Sequence, residues 1–357
     1  MCIYDVLSLF LFLLFCFQYC ARIKDIKVMY CGVFAILFVM CFKSVDTGGL
    51  SDLQDYVNLY MGKDSMYDSD EVEPGLGWLC RILNIFPKST FAFISFTTLI
   101  IMIPIFWGIK QYSQNKMYSL MLLFVLPGIW LVVFIAMRQA LAQSFILSSI
   151  FICMNRKRIR GWKIYSLVLI IISACFHSTP YIIVPLAICT YYLPEEKPYM
   201  YIALIGSLVL SSMFSQILAN TFLGYFGNVS QIERITYYIK EETYGMDTGF
   251  NLLNFAPLTI LTLVLVYYND VSQDNAFFIK ALVVGVILYN LLGNIPLVNR
   301  AICFFFVMGA VGAVPKIKSP MQFLIMAVLV IYFIWRNYVH YEESPSSAYL
   351  PYYFIWE

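Results

Sequence analysis

Long apolar stretches recur from one end of this 357-residue chain to the other. A helix that crosses a bilayer needs about 20 such residues, or fewer where the bilayer thins locally. The residues are 61% hydrophobic and 12% charged, which leaves too little polar surface to cover a water-soluble globule. The sequence therefore predicts an all-α, polytopic integral membrane protein, with residues 1–357 forming a single membrane domain.

The apolar stretches predict about twelve transmembrane helices. These spans are expected near residues 3–20, 28–43, 91–109, 117–136, 139–154, 164–178, 180–193, 199–218, 251–268, 279–296, 301–314 and 321–338. Cytoplasmic loops carry an excess of Lys and Arg, and one orientation gathers the basic loops on a single side. That orientation places both termini outside, together with loops at 44–90 and 219–250 and a tail at 339–357.

Two segments are compatible with more than one arrangement in the membrane. Leu76–Phe86, in the first outer loop, is apolar but too short to cross, so it is expected to be a short re-entrant or interfacial segment. Residues 164–193 could form a helical hairpin or one long kinked helix. The hairpin is favoured, because the residue before Pro180 avoids helical geometry and the adjacent Ser and Thr can satisfy freed backbone groups. A kinked helix would reverse the side of every later loop.

Charge and cysteine content argue against several classes of function. The net charge is +2 and no Lys/Arg cluster is interleaved with aromatic residues, so no nucleic-acid partner is expected. The ten cysteines lie mostly within apolar stretches, and there are two histidines, so neither a metal site nor another cofactor is predicted. Asp68-Ser69-Asp70 looks like a metal-binding acidic triplet, but such short matches arise easily in acidic loops.

Two arginines at the outer ends of predicted spans are candidate ligands for phosphate. Arg138, with its neighbour Gln139, separates two apolar stretches, and Arg300 follows a Pro-containing break. A guanidinium makes bidentate, permanently charged contacts to phosphate oxygens, so a convergent pair could hold a lipid pyrophosphate. The alternative is that each arginine anchors the chain to lipid headgroups.

Other candidate groups lie at the same predicted depth. His177 is in the turn of the expected hairpin, where an imidazole can donate to a phosphate or move a proton. The first outer loop offers Asp52 and Glu73 as general bases, and the sequence does not decide between them. Aromatic residues such as Tyr56 and Tyr60 could stack on sugar rings, although interfacial belts account for many aromatics in membrane proteins.

The order of these residues resembles the EpsG family of polysaccharide polymerases, which are related in function to Wzy O-antigen polymerases. The elements of the resemblance are Asp52-x-x-x-Tyr56-x-x-x-Tyr60, Glu73-Pro74-Gly75, Arg138-Gln139-x-x-Ala142, Phe176-His177-Ser178, Asn299-Arg300 and Pro351-Tyr352. Together they cover nearly the whole chain. The family typically has an arginine shortly before the aspartate, whereas this chain has Lys43.

The resemblance implies a metal-independent glycosyltransferase of GT-C-like architecture in a bacterial inner membrane. It would polymerise polyprenyl-pyrophosphate-linked oligosaccharides into O-antigen, capsule or exopolysaccharide on the outer face. Arg138, Arg300 and Gln139 would bind the pyrophosphate. His177 with Glu73 or Asp52 would be catalytic, and Tyr56, Tyr60 and Asn299 would contact sugar. Membrane lipids, a chain-length regulator and a flippase are the further partners that this reading suggests.

Three other functions are alternatives to this reading. A transporter or flippase for the same lipid-linked sugar would typically show repeated halves and polar, broken helices at the midplane, and no internal repeat is found. A ligase-type transferase would use the same lipid-linked donor. A membrane acyltransferase would need polar groups reachable from the cytoplasmic side, and the sequence offers few there.

Overall fold

The structure is a computed structural model that describes residues 3–45, 52–63, 73–134, 136–226, 252–270, 275–293, 296–343 and 353–354. Within these ranges the regular secondary structure is helical, which confirms the predicted all-α class. The helices are α1 (Ile3–Cys20), α2 (Asp25–Cys41), α3 (Asp52–Met61), α4 (Pro74–Leu83), α5 (Thr90–Tyr112), α6 (Lys116–Val125), α7 (Ile129–Phe134), α8 (Met137–Met154), α9 (Trp162–Phe176), α10 (Pro180–Tyr192), α11 (Lys197–Phe226), α12 (Leu252–Tyr268), α13 (Ala276–Leu292), α14 (Pro296–Gly312) and α15 (Pro320–Glu343).

Four helical segments are long and apolar enough to cross a membrane, namely α1, α5, α8 and residues Pro320–Val339 of α15. Seven shorter apolar helices accompany them within the described ranges. Each predicted span coincides with a helix, although α6 and α7 share one of them. These helices support a membrane protein, whereas the number of spans that cross stays a prediction.

The predicted span 117–136 is broken, so the expectation of one continuous helix there was wrong. Pro127 lacks a backbone N–H and keeps Leu126 extended, with φ −72° and ψ 137°. Gly128 follows with φ +72°, a conformation that glycine adopts without strain. The thiol of Cys303 lies 3.6 Å from the carbonyl oxygen of Pro127 and is placed to donate to it. The break thus separates α6 from α7.

Residues 164–193 form the predicted hairpin and not a kinked helix. His177 is extended after α9, with φ −166° and ψ 160°, and α10 begins at Pro180. Trp162, at the start of α9, and Tyr191, near the end of α10, line the same cavity. The two helices therefore run in opposite directions.

The loops rich in Lys and Arg lie together at one end of the helix bundle, called the basic end below. Each of these loops has a polar contact with a neighbouring loop or helix end. The contacts are Asp25 to Lys116 (3.7 Å), Gln114 to the backbone N–H of Lys316 (3.1 Å), Asp270 to Lys318 (2.6 Å), Lys197 to the carbonyl of Tyr267 (3.0 Å), Lys280 to the carbonyl of Tyr191 (2.8 Å) and Asn155 to Tyr112 (2.8 Å). These contacts support the predicted grouping of the basic loops. The side of the membrane that this end faces stays a prediction.

Helix α8 carries Arg138 in its first turn and is held between α5 and α9. Gly108 lets α5 approach α8 so closely that an added Cβ would overlap the ring of Phe151. On the opposite side, the hydroxyl of Ser173 on α9 donates to the carbonyl of Ala142 on α8, at 2.7 Å. The orientation of α8 is therefore fixed by contacts on two faces.

Candidate functional site

Three of the predicted site residues lie at helix ends remote from the basic end. Arg138 is in the first turn of α8, Glu73 directly precedes α4, and His177 directly follows α9. The connection between α8 and α9, residues 155–161, belongs to the basic end. The start of α8 and the end of α9 must therefore lie at the opposite end of the bundle, called the site end below.

The guanidinium of Arg138 holds two partners at once. Its Nη1 forms an ion pair with Oε2 of Glu73, and its Nε donates to the hydroxyl of Tyr56 at 2.9 Å. The guanidinium carbon also lies 5.2 Å from the centroid of the Tyr56 ring, within the range of a cation–π contact. The fork of donors on an arginine makes this double engagement possible, and a lysine ammonium lacks that fork.

Asp52 joins the same network through Tyr56. The two residues are four positions apart on α3, and the Tyr56 hydroxyl donates to Oδ2 of Asp52 at 3.1 Å. The chain of contacts runs Asp52, Tyr56, Arg138, Glu73, and is called the arginine network below. Both carboxylates that the sequence offered as bases are thus connected to one guanidinium, Glu73 directly and Asp52 through a tyrosine.

A close approach between helices brings Glu73 to this position. Pro74 and Gly75 open α4, and proline is suited to the first turn of a helix because that N–H has no helical partner. A Cβ added at Gly75 would lie 2.7 Å from the carbonyl oxygen of Cys175 and 2.8 Å from the ring of Phe176. Glycine therefore lets α4 dock on the end of α9, which carries Glu73 next to Arg138.

His177 is oriented by its neighbour Thr179. The backbone N–H of Thr179 donates to Nδ1 of His177 at 3.0 Å, and the Thr179 hydroxyl also contacts Nδ1. A backbone N–H is a donor only, so Nδ1 accepts and the proton of the neutral ring is on Nε2. His177 lies in the turn beyond α9. Burial lowers the pKa of the ring, Glu73 opposes this shift, and Arg138 and Arg300 add to it.

Arg300 lies near the start of α14, and the chain just after α14 belongs to the basic end, so this second arginine lies at the site end. Arg300 lies on α14 with its side chain exposed, and its carbonyl accepts from the side-chain amide of Gln143 on α8 at 3.4 Å. No carboxylate in the described part of the chain forms an ion pair with its guanidinium. Arg300 therefore remains available to an anion.

Three other predicted site residues are placed differently. Tyr60 is 1% exposed and its ring stacks on Phe93 at 5.1 Å, so this ring is part of the packed core. Gln139 is 4% exposed in the first turn of α8. Asn299 lies in α14, but its side chain is outside the described residues. The roles predicted for these three residues stay predictions.

The structure also shows residues that the sequence analysis missed. Thr179 orients His177, and its position after Ser178 in the turn gave no signal of that role. Arg336 on α15 interacts electrostatically with Tyr289 on α13. A lone arginine within an apolar helix is a signal of function that could have been noticed in the sequence.

Metal ligands are not assembled in the part of the chain that the structure covers. Across the described ranges, no group of three or more His, Cys, Asp or Glu side chains is arranged to hold an ion. Asp68 and Asp70 lie outside those ranges. Metal-independent chemistry therefore stays a prediction.

The fold and this cluster define a class: an α-helical membrane protein that gathers arginine, carboxylate and imidazole groups at one end of its bundle. Within that class, the chain belongs to the EpsG family, whose family model matches residues 27–354. EpsG is a family of Wzy-like polymerases, which confirms the resemblance found in the sequence and indicates a membrane polysaccharide polymerase-like function. No curated protein and no solved structure matches the chain significantly.

Proposed function

We propose that this protein is a glycosyltransferase that polymerises oligosaccharide repeat units linked to a polyprenyl pyrophosphate. The observation that carries the proposal is the arginine network together with His177 and Arg300. It combines fixed cations, a neutral hydrogen-bond donor and two carboxylates, which are the groups that this transfer requires.

In the proposed reaction, a hydroxyl of the acceptor sugar attacks the anomeric carbon of the donor sugar. The bond from that carbon to the pyrophosphate oxygen breaks, and the lipid pyrophosphate leaves with the electron pair. Its developing charge must be met by donors that are already in place. Arg300 and Arg138 supply cations, and Nε2–H of His177 donates to a phosphate oxygen.

We assign the proton of the attacking hydroxyl to Glu73. This carboxylate is paired directly with Arg138, whereas Asp52 reaches the network only through the hydroxyl of Tyr56. Asp52 is then a positioning residue. Tyr56 and Asn299 remain candidates for sugar contacts.

The wider setting of the proposal follows the charge pattern and the family. The basic end faces the cytoplasm, and the site end faces the outer side of a bacterial inner membrane, with both termini outside. The spans number about twelve, and the architecture is GT-C-like. A flippase that delivers the lipid-linked units and a regulator of chain length are the expected protein partners.

A reconstituted assay tests the proposal. Purified protein in nanodiscs is given the lipid-pyrophosphate repeat unit, and the products are separated as a ladder. We expect Arg138→Lys and His177→Gln to abolish or strongly shorten the ladder. His340→Gln and Arg160→Gln are matched controls, because they remove the other histidine and an exposed arginine of the basic end, and they should leave the ladder intact.

Two results would overturn the assignment. An unchanged ladder in folded Arg138→Lys and His177→Gln protein would remove both residues from the site. Movement of the lipid-linked unit across a liposome membrane, without any ladder, would make the protein a transporter.

A further inference from the structure

The cavity that Trp162 and Tyr191 line lies at the basic end, remote from the arginine network. It has a volume of about 1460 Å³, is partly open, and is lined by the ends of α5, α8, α9, α10 and α13. Typical small-molecule sites measure roughly 300–1,000 Å³. This cavity can therefore hold more than a small polar metabolite.

The inner wall of the cavity is apolar and reaches the outer surface of the bundle. Ile146 and Ile150 of α8, Ile170 of α9 and Val184 of α10 line it. Ile188 of α10 also lines it and is 56% exposed, so the cavity opens sideways between α9 and α10. In a membrane, this opening would face hydrocarbon chains.

The mouth of the cavity is cationic. Arg156, Lys157, Arg158 and Lys280 line it together with one carboxylate, Glu195. That carboxylate lies 3.6 Å from the ammonium of Lys280. In the described part of the chain, no carboxylate pairs with the three consecutive cations. The mouth therefore favours an anion.

Lys280 has a structural part in this arrangement. Its side chain is 4% exposed, and its ammonium donates to the carbonyls of Tyr191 at 2.8 Å and Leu193 at 2.9 Å. These bonds join the end of α10 to the start of α13. Trp162 and Tyr191, two aromatic residues of the kind that settles at headgroup level, flank the opening.

We propose that this cavity binds an anionic phospholipid, with its phosphate at Arg156–Arg158 and an acyl chain between α9 and α10. Basic pockets between transmembrane helices on the cytoplasmic side are suited to such headgroups. Basic loops that merely set the orientation of the chain would not require an apolar cleft behind them. The proposal does not depend on the polymerase activity.

The test compares lipid binding by two variants that lose the same charge. Arg156→Gln/Arg158→Gln changes residues that line the cavity. Arg160→Gln/Lys163→Gln changes an exposed residue of the same loop and an exposed residue in the first turn of α9, neither of which lines the cavity. Each protein is delipidated in detergent and titrated with phosphatidylglycerol, phosphatidylcholine or inorganic phosphate. Retained lipid is counted by native mass spectrometry, and thermal unfolding is followed in parallel.

We expect phosphatidylglycerol to bind the natural sequence and the Arg160/Lys163 variant equally. Binding to the Arg156/Arg158 variant should be about 30-fold weaker, because each basic residue near the headgroup contributes roughly fivefold to the affinity and this variant lacks two of them. Ala187→Trp, which fills the wall without changing charge, should also expel the lipid. Equal binding to both charge variants, or equal binding of phosphatidylcholine, would overturn the proposal. If inorganic phosphate raised the unfolding temperature as much as phosphatidylglycerol does, the site would bind a free anion and not a lipid, which would also overturn the proposal.

Discussion

Replacing Tyr56 by phenylalanine tests whether Asp52 acts through the arginine network. The change removes the hydroxyl that accepts from Arg138 at 2.9 Å and donates to Asp52 at 3.1 Å, and it keeps the ring. A hydrogen bond to a charged group contributes about 1.5–3 kcal/mol. Because Asp52 is partly exposed, we take the lower value, which corresponds to a roughly tenfold slower reaction.

A double-mutant cycle then separates the two possible roles of Asp52. If this carboxylate acts only through Tyr56, then Tyr56→Phe, Asp52→Asn and the double variant should all polymerise about tenfold more slowly. If Asp52 is an independent base, the double variant should be about 100-fold slower. Rates are measured as the initial growth of the product ladder in nanodiscs.

Tyr60→Phe is the matched control for this experiment. Tyr60 lies one turn further along α3, it is 1% exposed, and its hydroxyl has no hydrogen-bond partner in the described structure. Removing that hydroxyl should leave the rate unchanged. Additive losses in the cycle, or a Tyr60→Phe loss as large as that of Tyr56→Phe, would refute the positioning role of Asp52.

Two further perturbations probe how the site is assembled. Gly75→Ala places a Cβ 2.7 Å from the carbonyl of Cys175, so it should lower the free energy of unfolding by about 1–3 kcal/mol and slow polymerisation. A Cβ at Gly77 would have nothing within 4 Å, so Gly77→Ala should change neither property. Thermal unfolding and the ladder assay measure these effects, and equal effects of the two substitutions would contradict the close docking of α4. Burial lowers the pKa of His177, so the unfolded chain takes up this proton first as the pH falls below the ordinary value of 6.5. Stability and activity should therefore decrease as the pH falls below 6.5, and His177→Gln should remove this pH dependence of stability. Identical slopes of stability against pH in the natural sequence and in His177→Gln would count against a neutral, buried imidazole.

Much of the fold follows from the order of apolar stretches and prolines along the sequence. The apolar stretches mark the helices, and Pro180 marks the hairpin turn between α9 and α10. The break at Pro127–Gly128 was present in the sequence too. The sequence nevertheless predicts one span there, because the apolar residues on both sides of Pro127–Gly128 together have the length of a single transmembrane helix.

The site was predicted less completely, because its geometry depends on contacts between distant segments. The sequence identified Arg138, Glu73 and Asp52 as separate candidates. It gave no reason to expect that Arg138 joins both carboxylates, since that requires α3 and α4 to meet the start of α8. The tautomer of His177 depends on Thr179 in the same way, through a turn geometry that residue types do not specify.

An isolated antiparallel β-bridge pairs Lys43, just after α2, with Phe354 near the end of the chain, and this pairing has a consequence for biosynthesis. The backbone N–H of Ser44 donates to the carbonyl of Tyr353 at 2.8 Å, beside that bridge, just upstream of the segment that leads to α3. Translation proceeds from the N-terminus, so residues 43–44 leave the ribosome about 310 residues before their partners. A nascent chain that has not yet inserted α15 lacks this contact. The backbone at Lys43 and Ser44 therefore gains its hydrogen-bond partner only after the last helix of the bundle has been synthesised.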